Sequence, residues 1–201
     1  MCAIIGFICS EPNVNAILTL KRVFIESKIR GMHAYGYAAV NKEGIRYVCK
    51  GPSLKTLLQN MPESPTMLIG HCRYSTSGDY LDNNNNQPLT YKGESLVFNG
   101  VIDMRTKAEM ERAYGIKMLS DNDGEIMLQS KDRMALLKTD ITYSGLVLKN
   151  NAVQFFRNEG RPGYKAVRFG ATYVASTADI LRRCNLNPEV LTPHEVHEWT
   201  V

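Results

Sequence analysis

The chain has 201 residues, 44% of them hydrophobic and 22% charged, the balance of an ordinary soluble globular domain with a sizeable core. Its net charge is +4, but the 24 Lys and Arg are scattered rather than gathered into a basic stripe with aromatics, which argues against a nucleic-acid partner. No apolar run reaches the roughly 18 residues of a membrane span, and the start carries neither a basic leader nor a small-residue cleavage site. The expectation is a cytoplasmic protein without membrane attachment.

In chain order, the apolar run 2–9 predicts a buried strand. Glu11-Pro12-Asn13 ends it and offers Asn13 as a helix N-cap. Val14, Ile17, Leu18, Val23, Phe24, Ile25 and Ile29 predict a helix over 14–29, with Gly31 as its stop. Strands at 37–40 and 45–49 flank the hairpin signal Asn41-Lys42-Glu43-Gly44. A short helix at 54–61 and central strands at 67–75 and 95–102 follow. Between those strands, 79–87 is polar with four consecutive asparagines at 83–86, and predicts a surface loop outside any core. Helices are expected at 108–114 and 125–137, then strands at 143–148, 152–157, 166–169 and 172–175. A short helix at 178–184 and a strand around 195–200 close the chain. Strands in two sets, with helices between and after, fit an α+β sandwich better than alternating βαβ units. No linker and no repeat divides the chain, so one domain over 1–201 is expected.

Five cysteines stand at 2, 9, 49, 72 and 184, odd in number and without a C-x-x-C, which argues against a zinc site or disulfide framework. His194-x-x-His197 reads as surface histidines, and no metal or cofactor is expected. Cys2 draws notice because removal of Met1 would leave a thiol beside its own α-amine, a base that titrates near neutral pH; a small apolar strand residue is the alternative. Gly70-His71-Cys72-Arg73-Tyr74-Ser75-Thr76-Ser77-Gly78 brings an apolar strand to an arginine and a hydroxyl-rich turn. There a guanidinium can grip a carboxylate, or can serve a structural ion pair. Asn99-Gly100 is ordinarily a hairpin signal, but Val101 and Ile102 continue the apolar run, and an amide with the next N–H can form an oxyanion hole. Ser120-Asp121-Asn122-Asp123-Gly124-Glu125 reads as a capped helix start whose carboxylate could also bind an ammonium group.

These signals occur in an order that resembles the class II glutamine amidotransferases, the N-terminal-nucleophile glutaminase domains of amidophosphoribosyltransferases and glucosamine-phosphate synthases. The resemblance rests on Met1-Cys2, Arg30-Gly31, the 70–78 block, Asn85-x-Gln87-Pro88, Asn99-Gly100-x-Ile102 and Ser120-x-x-Asp123-x-Glu125, and continues through Phe156-Arg157-Asn158, Val174-Ala175-Ser176 and 191–196. It implies a four-layer αββα sandwich and hydrolysis of L-glutamine to glutamate and ammonia. It assigns Cys2 as nucleophile with its α-amine as base, and Asn99 and the Gly100 N–H as oxyanion hole. Arg73 and Thr76 bind the substrate carboxylate, Asp123 binds its ammonium, and Arg30 and Gly31 support the nucleophile. The sequence departs from the family pattern at Ala3, where glycine is usual, and at Phe98 and Asp103, where His and Asn are common. Two other readings stay open: an inactive glutamine-binding or regulatory module, and a hydrolase of another amide. No acceptor domain is legible, so a separate synthase subunit is expected to take the ammonia.

Overall fold

The computed structural model describes residues 1–76 and 78–201. Ser77, part of the 70–78 block, lies outside the described residues. Two antiparallel sheets form the centre. In the seven-stranded sheet the order is β11 (Glu189–Val190), β9 (Tyr164–Arg168), β10 (Ala171–Ala175), β1 (Ala3–Ile8), β4 (Pro65–Arg73), β2 (Ala34–Asn41) and β3 (Arg46–Gly51). In the five-stranded sheet it is β12 (His197–Thr200), β8 (Ala152–Arg157), β7 (Thr142–Leu148), β6 (Glu94–Val101) and β5 (Leu89–Tyr91).

Strand β1 is buried on both faces, so its sequence is a continuous apolar run rather than an alternating one. Its two faces nevertheless meet different layers. Ile4 and Ile8 join Met67 and Ile69 of β4 against Val97, Leu146 and Phe155 of the other sheet. Ala3, Ile5 and Phe7 turn outward onto helix α1 (Val14–Ser27), which contributes Ala16, Leu20, Val23 and Phe24. Helices α2 (Leu54–Gln59) and α6 (Ala178–Arg183) complete that outer layer. On the far side, Leu96, Phe98, Tyr143, Val147 and Phe156 pack against α3 (Lys107–Tyr114), α4 (Gly124–Gln129) and α5 (Arg133–Leu136). Helix, sheet, sheet and helix give the four-layer αββα sandwich.

Most expected elements are present, and the differences have local causes. The first helix starts at its Asn13 cap, whose side chain accepts from the Ala16 N–H, but ends at Ser27 and tightens into a 3₁₀ turn over Lys28–Arg30. Gly31 is not a left-handed stop; its backbone is extended, and its lack of a side chain serves a close crossing described below. The helix expected at 125–137 breaks at Ser130, and Asp132 caps a separate short helix by accepting from Ala135 N–H. Strands β5 and β11 are too short to show a period in sequence. The largest correction concerns the end of the 79–87 loop: 79–84 are exposed as expected, but Asn85, Asn86 and Gln87 are buried. Their side-chain oxygens accept from Asp121 N–H, Arg73 Nη1 and Phe98 N–H of neighbouring elements, so a polar sequence forms part of the interior.

The α1 layer is keyed to β4 at one point. Phe24 is fully buried, and a Cβ at Gly70 would overlap its ring, so ring and glycine fill one volume. Phe24→Ala is expected to cost about 3–5 kcal/mol through lost burial and the cavity left over Gly70. Urea unfolding at neutral pH measures it, and a loss under about 1 kcal/mol would contradict this packing.

Candidate functional site

The register of β1 on β4, with Ala3 opposite Cys72 and Ile4 opposite His71, sets Cys2 beside Arg73 at the strand end. Side chains alternate along a strand, so Cys2 follows Ile4 on the face toward the second sheet, as His71 and Arg73 follow Ile69. The Cys2 thiol lies 3.3 Å from the Tyr74 carbonyl oxygen, and the Tyr74 N–H donates to the sulfur at 3.4 Å. Arg30 Nε donates to the Cys2 carbonyl at 2.9 Å. Gly31 carries the chain across the end of β4 so closely that a Cβ there would stand 2.6 Å from both Cys72 O and Tyr74 N. Burial pushes the Cys2 thiol up; the Tyr74 N–H, the chain's terminal ammonium, Arg73 and Arg30 pull the other way without reversing it.

Strand β6 passes on the opposite sheet. Asn99 and Gly100 lie inside it, paired with Ser144 and Tyr143 of β7, and form no hairpin turn. The Asn99 side chain is buried, and its Nδ2 has no partner among the described residues. Gly100 must lack a side chain, since a Cβ would overlap the Thr142 carbonyl. Beyond β5 the outer edge of β6 has no strand neighbour in the sheet order. Its outward backbone groups are taken by side chains instead. Phe98 N–H donates to Gln87 Oε1 at 2.6 Å, Phe98 O meets His71 Nε2 at 3.1 Å, and Ile102 N–H donates to Asp123 Oδ2 at 2.7 Å. By the two-residue period of the strand, the Gly100 N–H faces that same edge.

Arg73 is buried; its Nη1 donates to Asn86 Oδ1 at 2.6 Å and its Nη2 to Gly78 O at 3.1 Å. Lys50 Nζ grips the same asparagine through its carbonyl, at 2.9 Å. Asn85 continues the link: its Oδ1 accepts from Asp121 N–H and its carbonyl from Asn122 Nδ2, both at 2.8 Å. Asp123 sits buried at the start of α4 and makes no side-chain cap bond there; Asn122 Oδ1 accepts from the Gly124 N–H at 3.0 Å, and Glu125 accepts from the N–H groups of Leu119 and Ser120 ahead of the helix. Thr76 is exposed and lines a cavity of about 320 Å³ with Gly78, Asp103 and Asp121. A cavity of about 930 Å³ between Tyr91, Tyr114, Leu119 and Leu136 contains none of these groups. Size alone does not mark the candidate site, because Cys2, Arg73, Asn99 and Asp123 all lie outside this cavity.

No family model matches the chain. It is 30% identical over 136 residues to the glutamine–fructose-6-phosphate aminotransferase (isomerizing) of Staphylococcus epidermidis, covering 66% of this chain and 22% of that one. With the Caulobacter vibrioides enzyme of the same name it shares 34% over 143 residues, 69% of this chain and 23% of the other. The chain thus spans about a fifth of the length of these curated relatives. In structure it matches the B. subtilis glutamine phosphoribosylpyrophosphate amidotransferase, solved with ADP and GMP, at a TM-score of 0.74 and 18% identity over 99% of this chain and 49% of that one. A class II glutamine aminotransferase domain protein from Silicibacter pomeroyi matches at 0.59 and 10% identity, with 99% of both chains covered.

The chain belongs to the class II glutamine amidotransferase domains.

Within this amidotransferase domain the three departures from the family pattern have plain structural accounts. The methyl of Ala3 points away from the site into the α1 core and is fully buried there. Phe98 stacks on Tyr143 at 5.5 Å between ring centres, on the helix side of β6. Asp103 pairs with Arg105, which holds its carboxyl down at about 2. Sequence reasoning passed over His71, Gln87, Asn86 and Lys50. A histidine two positions before a candidate arginine, on a strand with an apolar inner face, was the available signal for His71; the others look like solvated polar residues until the topology buries them.

His71 is fully buried and its pKa falls to about 3, first through burial, then through the Arg73 charge. In the unfolded chain the group charges near pH 6.5. Between those values the unfolded state binds the extra proton, so stability rises with pH and is lost as pH falls from 6.5 toward 3. The loss from this group should reach about 2 kcal/mol at pH 5. His71→Gln, which cannot charge, should flatten that part of the profile. Urea titrations at pH 7 and pH 5 decide: equal pH dependence in both proteins would mean His71 is not held neutral.

Proposed function

We propose that residues 1–201 act as one glutaminase domain that hydrolyses L-glutamine to glutamate and ammonia through a Cys2 thioester. The observation that carries this reading is that Cys2, Arg73, Asn99 and Asp123 come from four separate elements to one end of the space between the sheets. A free zwitterionic amino acid needs one cation, one anion, a nucleophile and an oxyanion hole, and this set supplies them. Arg73 and Thr76 receive the α-carboxylate, and Asp123 the α-ammonium. Removal of Met1 frees the Cys2 amine, which takes the thiol proton as sulfur attacks the side-chain carboxamide carbon. The oxygen becomes an oxyanion held by Asn99 Nδ2 and Gly100 N–H. Collapse breaks the C–N bond, and the Cys2 ammonium returns its proton to the leaving nitrogen as ammonia. Water then attacks the thioester with the amine again as base, releasing glutamate and the thiol. Because burial raises the thiol pKa, the resting nucleophile is neutral, and a base within the same residue answers that need. Arg30 and Gly31 fix the backbone of the nucleophile, one by hydrogen bond and one by close crossing.

A glutamine-like diazoketone should label Cys2 and leave Cys9, Cys49, Cys72 and Cys184 untouched, by peptide mass mapping. An N-terminal extension that retains Met1 should abolish turnover. Arg73→Lys, which loses the bidentate fork, and Asp123→Asn should each slow labelling at low reagent concentration by about tenfold or more through weaker binding. Labelling at Cys72 with Cys2 untouched would overturn the assignment. If Asp121→Asn weakens binding and Asp123→Asn does not, the carboxylate is Asp121.

The curated relatives are about four to five times longer than the matched segment, and their names describe transfer to a sugar phosphate. The ammonia of this domain passes, in our reading, to a separate synthase subunit that docks near Cys2, because free ammonia is largely protonated at neutral pH and lost to solvent. Docking that favours the substrate-closed state raises the rate. Glutaminase assay of the isolated chain and of the complex recovered from native extract tests this. A slow chain accelerated by its partner is expected, and full-speed turnover with no associated protein would favour a free-standing amidohydrolase.

A further inference from the structure

We infer that His71 is a positioning residue for the oxyanion hole: it clamps the Phe98 carbonyl so that the Asn99 amide and the Gly100 N–H converge beside Cys2. This rests on the reading of Asn99 and Gly100 given above.

An unpaired strand edge carries a row of N–H and C=O groups with no ladder to fix them. In β6 that row begins where β5 ends. Three contacts replace the ladder: Gln87 Oε1 on Phe98 N–H, His71 Nε2 on Phe98 O, and Asp123 Oδ2 on Ile102 N–H. They bracket the Gly100 N–H on both sides. Two of them fall on residue 98, whose carbonyl belongs to the peptide unit that ends in the Asn99 nitrogen. Fixing that plane fixes the direction in which the Asn99 side chain leaves the strand.

His71 is placed to transmit geometry rather than protons. A carbonyl oxygen only accepts, so Nε2 carries the hydrogen, and Nδ1 is the bare nitrogen. That Nδ1 has no partner among the described residues, and the ring is fully buried in its neutral form. On its own strand His71 lies two residues from Arg73 and directly opposite Ile4, itself two residues from Cys2. One side chain therefore ties the strand of the nucleophile, through β4, to the strand of the oxyanion donors on the other sheet. A shift of about 1 Å in such donors can cost about 100-fold in rate.

Three substitutions separate this from simple packing. Glutamine can present an N–H where imidazole Nε2 stands, asparagine is one bond too short, and leucine has no donor. His71→Asn and His71→Leu should lower kcat for glutamine hydrolysis by about 10- to 100-fold, with KM within about twofold. Affinity for glutamate γ-semialdehyde, whose adduct with Cys2 places an oxyanion in the hole, should fall in parallel. Alkylation of Cys2 by iodoacetamide should keep its wild-type rate. His71→Gln should restore kcat to within about threefold. Gln87→Met, which frees the other end of residue 98, should give the same signature and keeps the test open if the His71 variants fold poorly. Wild-type kcat in His71→Asn and Gln87→Met, or a His71→Gln variant as slow as His71→Asn, would overturn the inference. In that case Asn99→Ala should still lose about 10²–10³ in kcat; a wild-type protein without glutaminase activity or aldehyde binding would instead overturn the functional reading itself.

Discussion

The site depends on one constraint: at the same end of the sandwich, four strands change the inward face from hydrocarbon to polar side chains. Along β1 the inner face runs from Ile8 and Ile4 to Cys2, and along β4 from Met67 and Ile69 to His71 and Arg73. Along β6 it passes from Val97 to Asn99, and along β7 from Leu148 and Leu146 to Ser144. Antiparallel register aligns these transitions, so groups up to 142 residues apart in sequence share one small volume. Buried polar groups cost about 1–3 kcal/mol each when unpartnered. The apolar parts of the same strands, packed between the sheets, stabilise the arrangement against that cost.

The second requirement is order in segments that have no ladder of their own. The run 82–87 supplies it from beneath. Asn86 meets Arg73 and Lys50, Asn85 meets Asp121 and Asn122, and Gln87 meets Phe98. A primary amide both donates and accepts, so one side chain can join a cation on one element to a backbone group on another. Three consecutive amides thus link β4, the start of α4 and the edge of β6. Arg73 and Asp123, the proposed cationic and anionic binding groups, are held in a common frame rather than on independent loops.

This explains how much was legible beforehand. Cys2, Arg73 and Asn99 carry modest local signals one by one, and what makes them legible is their order along the chain, which shows in one dimension. The sandwich was legible for the same reason, since two groups of strands with intervening helices leave few layer arrangements. The burial of 85–87 was not, because solvated and buried amides have the same sequence appearance and only tertiary partners tell them apart. His71 was hidden in the same way: the Phe98 carbonyl it meets lies across the gap between the sheets, 27 positions later. The start of α4 misled in a different manner. Asp123 has the look of a cap, yet Asn122 takes the first helical N–H and Asp123 Oδ2 reaches the end of β6.

The chemistry of Cys2 follows from where this architecture puts it. Burial disfavours the thiolate, and the nearby cations offset that only in part. A nucleophile activated by a permanently lowered pKa would need a more exposed or more strongly electropositive setting. Here the surroundings favour a neutral thiol, and in the reading proposed above its proton goes to the amine of the same residue. The Arg30 bond to the Cys2 carbonyl and the crossing of Gly31 then acquire a purpose: they hold the first peptide unit, so that an amine with no chain behind it would still have a fixed place. In the proposed reading, nucleophile, base and oxyanion donors are thereby set by backbone geometry at the ends of two strands, with His71 and Gln87 as the braces between them.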